Sequence, residues 1–322
     1  MTDRDVSEIF TVELDNDSGL RADRYIADYL GVFSRSQIKN RNVRIVLNNK
    51  EVKLSKVLNS GDIITVEYNN PEALHLNPEK MDLDILYEDS NTIVVNKSQG
   101  VVVHPGAGNF SGTLVHGLLY HCLEMKEKFS NEDIRPGIVH RLDKDTSGVI
   151  IAAKNPETLE YLSSQFRNKT TKKTYIAIIR GNPVKQEGII ETNIARDPND
   201  RKKFAVAVDR GKKAVSTYKV LESWGQISLV LLKLETGRTH QLRVHMLHLG
   251  TPILGDPIYG SKSSQFPDTS LMLHAYQLLL NLPGSAEPRL FIAPIPDRFT
   301  KLIEKYTKSP VNILSLIQKA QD

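Results

Sequence analysis

His140-Arg-Leu-Asp-Lys-Asp-Thr-Ser-Gly148 is the stretch of this chain most crowded with chemistry. It is flanked by Gly137-Ile-Val139 and Val149-Ile-Ile151, so both of its ends run into apolar sequence that reads as core. Thr146 and Ser147 are expected to bond the loop's own backbone and fix its shape. Gly148 permits a tight re-entry into a strand. A rigid loop that presents a carboxylate, Asp143, at its tip is a good scaffold for a site. The plainer reading is a surface ion pair between Asp143 and Arg141. One other stretch is comparably dense, Gly237-Arg-Thr-His-Gln-Leu-Arg-Val-His245. A carboxylate set among arginines points to a substrate that carries phosphates.

The 322 residues allow one large domain and a small one. A hydrophobic share of 40% and a charged share of 25% are those of a globular protein. The formal net charge of +4 says little about partners, but its distribution says more. Arg35 to Lys56 holds seven Lys or Arg against Glu51, and Arg167 to Lys185 holds six against no acid. Arg196 to Lys219 holds eight against Asp197, Asp200 and Asp209. Such clusters suit a surface that tracks phosphates, although each alone could be a solvated face. The single cysteine, Cys122, excludes an intramolecular disulfide and reads as a packed apolar residue. The start, Met1-Thr-Asp-Arg-Asp-Val6, does not resemble a targeting peptide, and no apolar run approaches the roughly 20 residues of a membrane span. A cytoplasmic protein with no membrane partner is expected.

Residues 1–70 read as a separate module with its core at about 18–70. Arg21 to Leu30 places Tyr25, Ile26, Tyr29 and Leu30 on one helical face, and Gly31 ends that helix. Ser34 is a candidate N-cap for a second helix carrying Arg35, Gln37, Lys39 and Arg41. A turn at Asn48-Asn49, another at Gly61-Asp62 and an alternating strand from Ile63 to Tyr68 follow. Residues 71–80, with Pro71 and Pro78, read as a linker, and 81–322 as the second domain. There, strands are expected at Ile85–Tyr87, Thr92–Asn96, Val101–His104, Val149–Ala153, Thr174–Arg180 and Ile227–Leu234. Helices are expected at Gly112–Leu123, Pro156–Asn168, Thr239–Leu249 and over the last twenty residues. Asn155 and Pro156 form an N-cap and first-turn pair. The irregular alternation favours an α+β fold.

Metal and nucleotide sites find little support. His240, His245 and His248 share one expected helix, but residues five apart point about 140° apart, a poor ligand pair. Gly106-Ala-Gly108-Asn-Phe-Ser-Gly112 lacks the spacing of a dinucleotide loop. His140-Arg-Leu-Asp143 carries an extra residue against a kinase loop, with no Asp-Phe-Gly downstream. No metal and no cofactor are expected. His140, His240 and His245 read as hydrogen-bonded packing residues around a site.

His140-Arg-Leu-Asp-x-x-Thr-Ser-Gly148 resembles the signature of RluA-family pseudouridine synthases. The resemblance continues in family order through Leu83–Asp89, Val94-Val-Asn-Lys97, Gly100–Gly106, Lys172–Ala177, Gly237–His245, Gly255-Asp-Pro-Ile-Tyr-Gly260 and Leu273-His-Ala275. It covers about residues 80 to 300; Ser98 stands where the family commonly has proline. The N-terminal module is similar to the small S-four-like RNA-binding domain, through Arg21, Asp23, Ser34, Arg35, Ser36 and the tail from Val52 to Ile63. The family's usual Val-Asn-Gly turn is Leu47-Asn-Asn49 here.

These resemblances imply an α+β, mixed and largely antiparallel catalytic domain behind a small α/β RNA-binding domain. They imply that Asp143 is the nucleophile or base, that Tyr175 lies against the target uracil and that Arg243 pairs with Asp143. Arg238 ranks below Arg243 as that partner. Arg141 would enter the RNA helix where the base has left. Arg35, Lys39, Arg41, Arg238 and His240 are further candidates for substrate contact. The implied partner is RNA, ribosomal in preference to transfer RNA, turned over by a monomer without a cofactor. The alternative class is a non-catalytic RNA-binding or ribosome-assembly protein.

Overall fold

The computed structural model describes residues 5–14, 19–30, 38, 42–69, 76–106, 108–129, 135–200, 202–260, 265–267 and 269–321. The chain divides into two compact units, Met1–His75 and Leu76–Asp322.

In the first unit, β1 (Asp5–Thr11) edges a four-stranded antiparallel sheet of order β1-β6-β3-β4. Its other strands are β3 (Arg44–Leu47), β4 (Lys50–Val52) and β6 (Ile63–Asn69). β2 (Leu20–Arg21) pairs with β5 (Val57–Leu58). Leu47 faces Lys50 across a two-residue turn in which Asn48 and Asn49 both hold positive φ, 51° and 61°. That backbone matches the twist of a hairpin, and asparagine tolerates it in place of glycine. The first helix, α1 (Ala22–Arg24), continues as a π-helical turn, Tyr25–Tyr29, closed by Leu30 N–H on the Tyr25 carbonyl at 2.9 Å. The wider turn corrects the expected face. Ala22, Tyr25 and Ile26 are buried, while Tyr29 is exposed and stacks on Tyr25. They pack with Val12, Ile45, Leu58, Ile64 and Val66. The expected second helix with Arg35, Lys39 and Arg41 lies outside the described residues, apart from buried Ile38.

The second unit is built on a ten-stranded sheet of order β12-β11-β13-β14-β10-β15-β9-β8-β7, with β16 also paired to β15. Its strands are β7 (Ile85–Glu88), β8 (Thr92–Lys97), β9 (Ser147–Ala153), β10 (Lys172–Arg180), β11 (Glu187–Arg196), β12 (Phe204–Ala207), β13 (Lys212–Ser223), β14 (Ile227–Leu234), β15 (Leu273–Leu280) and β16 (Arg289–Ile292). All pairings are antiparallel except β9 with β15, so the expected α+β class with a largely antiparallel sheet is borne out. Every residue of β9 is buried, which explains its unbroken apolar run: it is a central strand covered on both faces.

Helices α2 (Leu114–His121) and α3 (Leu123–Lys128) bury Leu114, Leu118 and Met125 against this core. Helix α4 (Pro156–Arg167) is capped as expected, the Asn155 side chain accepting Thr158 N–H at 2.9 Å. Two carboxyl-terminal helices, α6 (Asp297–Thr307) and α7 (Ile313–Gln321), bury Phe299 with Ile303 and Ile313 with Ile317, one helical turn apart. Between them in the sequence and α4, helix α5 (Gln241–His248) buries residues 241–246 without a polar face. One expected strand is absent. Val101–His104 is irregular because its carbonyls serve other partners: Val102 and Val103 receive the first N–H groups of α2, and Val101 receives the Lys97 ammonium.

Candidate active site

Residues 137–146 double back along β9. Ala153 N–H donates to the Gly137 carbonyl at 2.8 Å, and Ile151 N–H donates to His140 Nε2 at 3.1 Å. The Thr146 N–H closes a turn on the Asp143 carbonyl at 3.1 Å. The turn side chains do not bond the local backbone as expected. Ser147 Oγ instead joins His274 Nδ1 on β15 at 2.9 Å and accepts from Arg298 of α6 at 2.6 Å. Gly148 is required by close approach: its φ is +119°, and an added Cβ would lie 2.2 Å from the Ala275 carbonyl oxygen.

Beneath the turn, the fully buried Lys97 donates to the carbonyls of Ser98, Val101 and Lys144 at 2.9, 2.8 and 3.1 Å. Burial pulls its ammonium down to about 7, although Asp145 and Asp143 oppose that. The turn is therefore tied to three other elements before any substrate arrives.

Asp143 leaves this turn for a cavity of about 530 Å³ lined also by Tyr175, Phe166, Lys173, Arg238, His240 and Arg243. Arg243 Nη1 donates to Asp143 Oδ2 at 3.1 Å, joining residues 100 positions apart. The rest of its guanidinium is clamped by Asp256, Nε to Oδ2 at 2.7 Å and Nη2 to Oδ1 at 2.8 Å. Asp256 in turn accepts the backbone N–H groups of Ile258 and Tyr259. Burial works against the Arg243 charge, yet the bonds and charges of Asp256 and Asp143 raise its pKa overall. The same surroundings lower the Asp256 carboxyl against the pull of burial. A guanidinium saturated on one edge and open on the other leaves one donor fixed on Asp143.

Tyr175 stands on β10 with its ring almost buried in the cavity wall. Burial, then the Asp143 charge, raises its hydroxyl, so the ring is neutral near pH 7. His240 precedes α5 in a left-handed conformation, φ 55°, so it is not a helix residue as expected. Its Nδ1 meets the Tyr259 hydroxyl at 2.8 Å, and its Nε2 lies 3.9 Å from Asp143 Oδ2. Tyr259 also accepts the Phe204 N–H and lies under the Arg243 guanidinium. His245 points away from the cavity, bonded to Ser216 and Thr192 at 3.0 Å each.

The structure thus brings together Asp143, Tyr175, Arg243 and His240, with exposed Arg141 and half-buried Arg238 also on the cavity lining. Arg238 bonds the Lys213 carbonyl rather than Asp143. Arg35, Lys39 and Arg41 lie outside the described residues. Sequence reading missed Asp256 and Tyr259. The available signal was Gly255-Asp-Pro-Ile-Tyr-Gly260, a turn whose aspartate accepts its own backbone N–H groups two and three residues on. Among the described residues, Glu88, His121 and Cys122 come within 4.8 Å of one another away from this cavity. Glu88 is engaged by Lys154 at 2.5 Å and His121 at 2.8 Å, and burial pushes the Cys122 thiol up to about 11. That trio is an ion-pair network with a protonated thiol beside it.

Residues 91–248 match the family model described as RNA pseudouridylate synthase. The chain is 46% identical over 310 residues to ribosomal large subunit pseudouridine synthase D of Borreliella burgdorferi, covering 94% of each. It is 42% identical over 299 residues to the protein of that name from Neisseria meningitidis serogroup A, covering 89% of this chain and 78% of the relative. Among solved structures, human RNA pseudouridylate synthase domain containing 4 superposes with a TM-score of 0.55 at 28% identity. That likeness covers 70% of this chain and 94% of the human one.

Proposed function

The chain belongs to the RNA pseudouridylate synthase family, and on that premise we propose that it converts uridines of large-subunit ribosomal RNA to pseudouridine with Asp143 as its catalytic residue. The single observation that carries the assignment to Asp143 is its carboxylate held by Arg243 at 3.1 Å inside a cavity that also holds Tyr175. A uridine flipped from its stack costs a few kcal/mol, offset by contacts in the pocket. Tyr175 supplies a neutral aromatic wall, worth about 1–3 kcal/mol of stacking. Arg243 keeps Asp143 aimed at the ribose. Asp143 promotes cleavage of the bond between base nitrogen 1 and ribose carbon 1, by attack on the ribose or by removing a ribose proton. The uracil turns within the pocket and rejoins through carbon 5; carbon 5 gives up its proton and nitrogen 1 carries one in the product. A nucleotide seated in the cavity displaces water from the Asp143 end, which limits hydrolysis of the cleaved species. Arg141 on the rim suits the gap left by the flipped base.

Asp143→Ala should abolish isomerisation, mapped at single-uridine resolution on deproteinised ribosomal RNA, while RNA affinity stays within a few fold. Residual turnover near the wild-type rate would remove Asp143 from the chemistry. The first unit, with its S-four-like sequence, is read as an RNA-binding module. A chain lacking residues 1–75 should keep its cooperative unfolding and bind ribosomal RNA more weakly or choose uridines less strictly; unchanged affinity and site choice would dismiss that role.

A further inference from the structure

Lys173 precedes Tyr175 by two residues on β10, so both side chains leave the same face of the strand, and both line the Asp143 cavity. Lys173 is half-buried, yet among the described residues no carboxylate pairs with it. Its ammonium lies over the face of Phe166, 5.8 Å from the ring centre. Phe166 in turn stacks on His140, ring centres 4.5 Å apart, which fixes this wall against the loop that carries Asp143. Lys169 lines the same end of the cavity and lies close enough to depress the Lys173 ammonium, after the larger effect of burial. The neighbouring Arg167 is already paired with Glu160 at 2.9 Å. Glu235, the other carboxylate on the cavity lining, is exposed and pairs with neither lysine among the described residues.

Two lysines without an acid, one of them half-buried, are unfavourable in the free protein, since a partly desolvated ammonium needs a counter-charge. Phe166 and the two lysines line this cavity together with Asp143 and Tyr175, and a single uracil does not fill about 530 Å³. The anionic group that accompanies a flipped uridine is its own backbone. We propose that Lys173, with Lys169 beside it, binds a phosphodiester adjoining the flipped uridine, using the Phe166–His140 stack as the wall of this subsite. The proposal rests on the RNA-modifying reading above and adds a residue-level anion site to it. Lys173 is then a substrate-binding residue, and the substrate supplies the counter-charge that the protein lacks.

The test is read from binding. Lys173→Met keeps the aliphatic stem against Phe166 and removes the charge. Its affinity for ribosomal RNA, measured across a salt series, should show a log–log slope shallower by about 0.7–0.9 than wild type, the signature of one lost phosphate contact. Lys173→Arg should restore that slope. On a synthetic stem-loop carrying the modified uridine, one neutral methylphosphonate linkage beside that uridine should weaken wild type several-fold and leave Lys173→Met unchanged. A variant with the wild-type slope, or one weakened by each neutral linkage as much as wild type, overturns the site. A merely structural lysine would change stability without this linkage-specific coupling. The two readings fail separately: lack of isomerisation by wild type overturns the proposed function, whereas the slope comparison on ribosomal RNA needs no turnover.

Discussion

At the scale of single residues, the site turns on how one buried guanidinium is shared. Arg243 spends two donors on Asp256 and one on Asp143, so Asp256 positions the pair without facing the substrate itself. Removing that carboxylate leaves a buried cation short of its main partner, a change worth about 3–5 kcal/mol. Asp256→Asn should therefore lower stability by that order in urea unfolding and slow single turnover as well. A variant as stable as wild type would show that Asp143 alone suffices for Arg243. Asp143, Tyr175 and Arg243 were legible because their motifs name them directly. Asp256 was not, since its importance arises only when a turn at 255–260 meets the side chain of α5. His240 was legible as a site residue but not as a left-handed one, because the stretch around it keeps a helical pattern. Lys173 was hidden in a basic run that reads equally well as a solvated face.

At the scale of elements, the contact between β9 and β15 decides where the Asp143 turn sits. Gly148 lets the strands meet, with Ala275 carbonyl oxygen where a side chain would begin. Gly148→Ala adds a clash with backbone to an unfavourable φ of +119°. Strain of this kind costs about 1–3 kcal/mol for the backbone conformation alone. The variant should lose at least that in thermal or urea unfolding and lose turnover in parallel. Gly237→Ala is the control: its added Cβ meets nothing within 4 Å, and stability should stay within about 0.5 kcal/mol. Equal effects at the two positions would refute the close-approach account. The apolar strands β8, β9, β10 and β14 were readable because burial on both faces leaves continuous apolar runs. β15 was not, as His274 and Gln277 interrupt it; His274 is buried by bonding Ser147 rather than by being apolar. Charged β11 and β13 and the edge strand β1 carried no such run. Val101–His104 looked like a strand by composition alone, and only its neighbours reveal that its carbonyls are taken elsewhere.

At the scale of the whole molecule, buried imidazoles set the response to acid. Burial holds His140 and His274 at about 3 and His245 at about 4, against an ordinary value near 6.5. Below pH 6.5 the unfolded chain binds protons that the folded one refuses, so stability falls as pH falls from about 6.5 toward 4. Each such histidine adds up to about 1.4 kcal/mol per pH unit to that slope. Urea unfolding between pH 7 and 4.5 should show the decline, and His245→Gln should make it shallower by about one proton. A slope unchanged by that substitution would mean His245 is protonated in the folded protein.

The strand order of the large sheet has a consequence for how the chain is made. β15, residues 273–280, lies between β10 and β9, so it joins two groups of strands that do not otherwise pair with each other at that line. A ribosome delivers it after every other strand of the sheet except β16, which follows at residues 289–292 and pairs with its far end. Until it emerges, the nascent chain carries two half-sheets with open edges, the arrangement most prone to sticking to other chains. Translation that stalls before residue 280 leaves a product for chaperones and proteases, since the last seam that sets the Asp143 turn against its neighbours has not been closed.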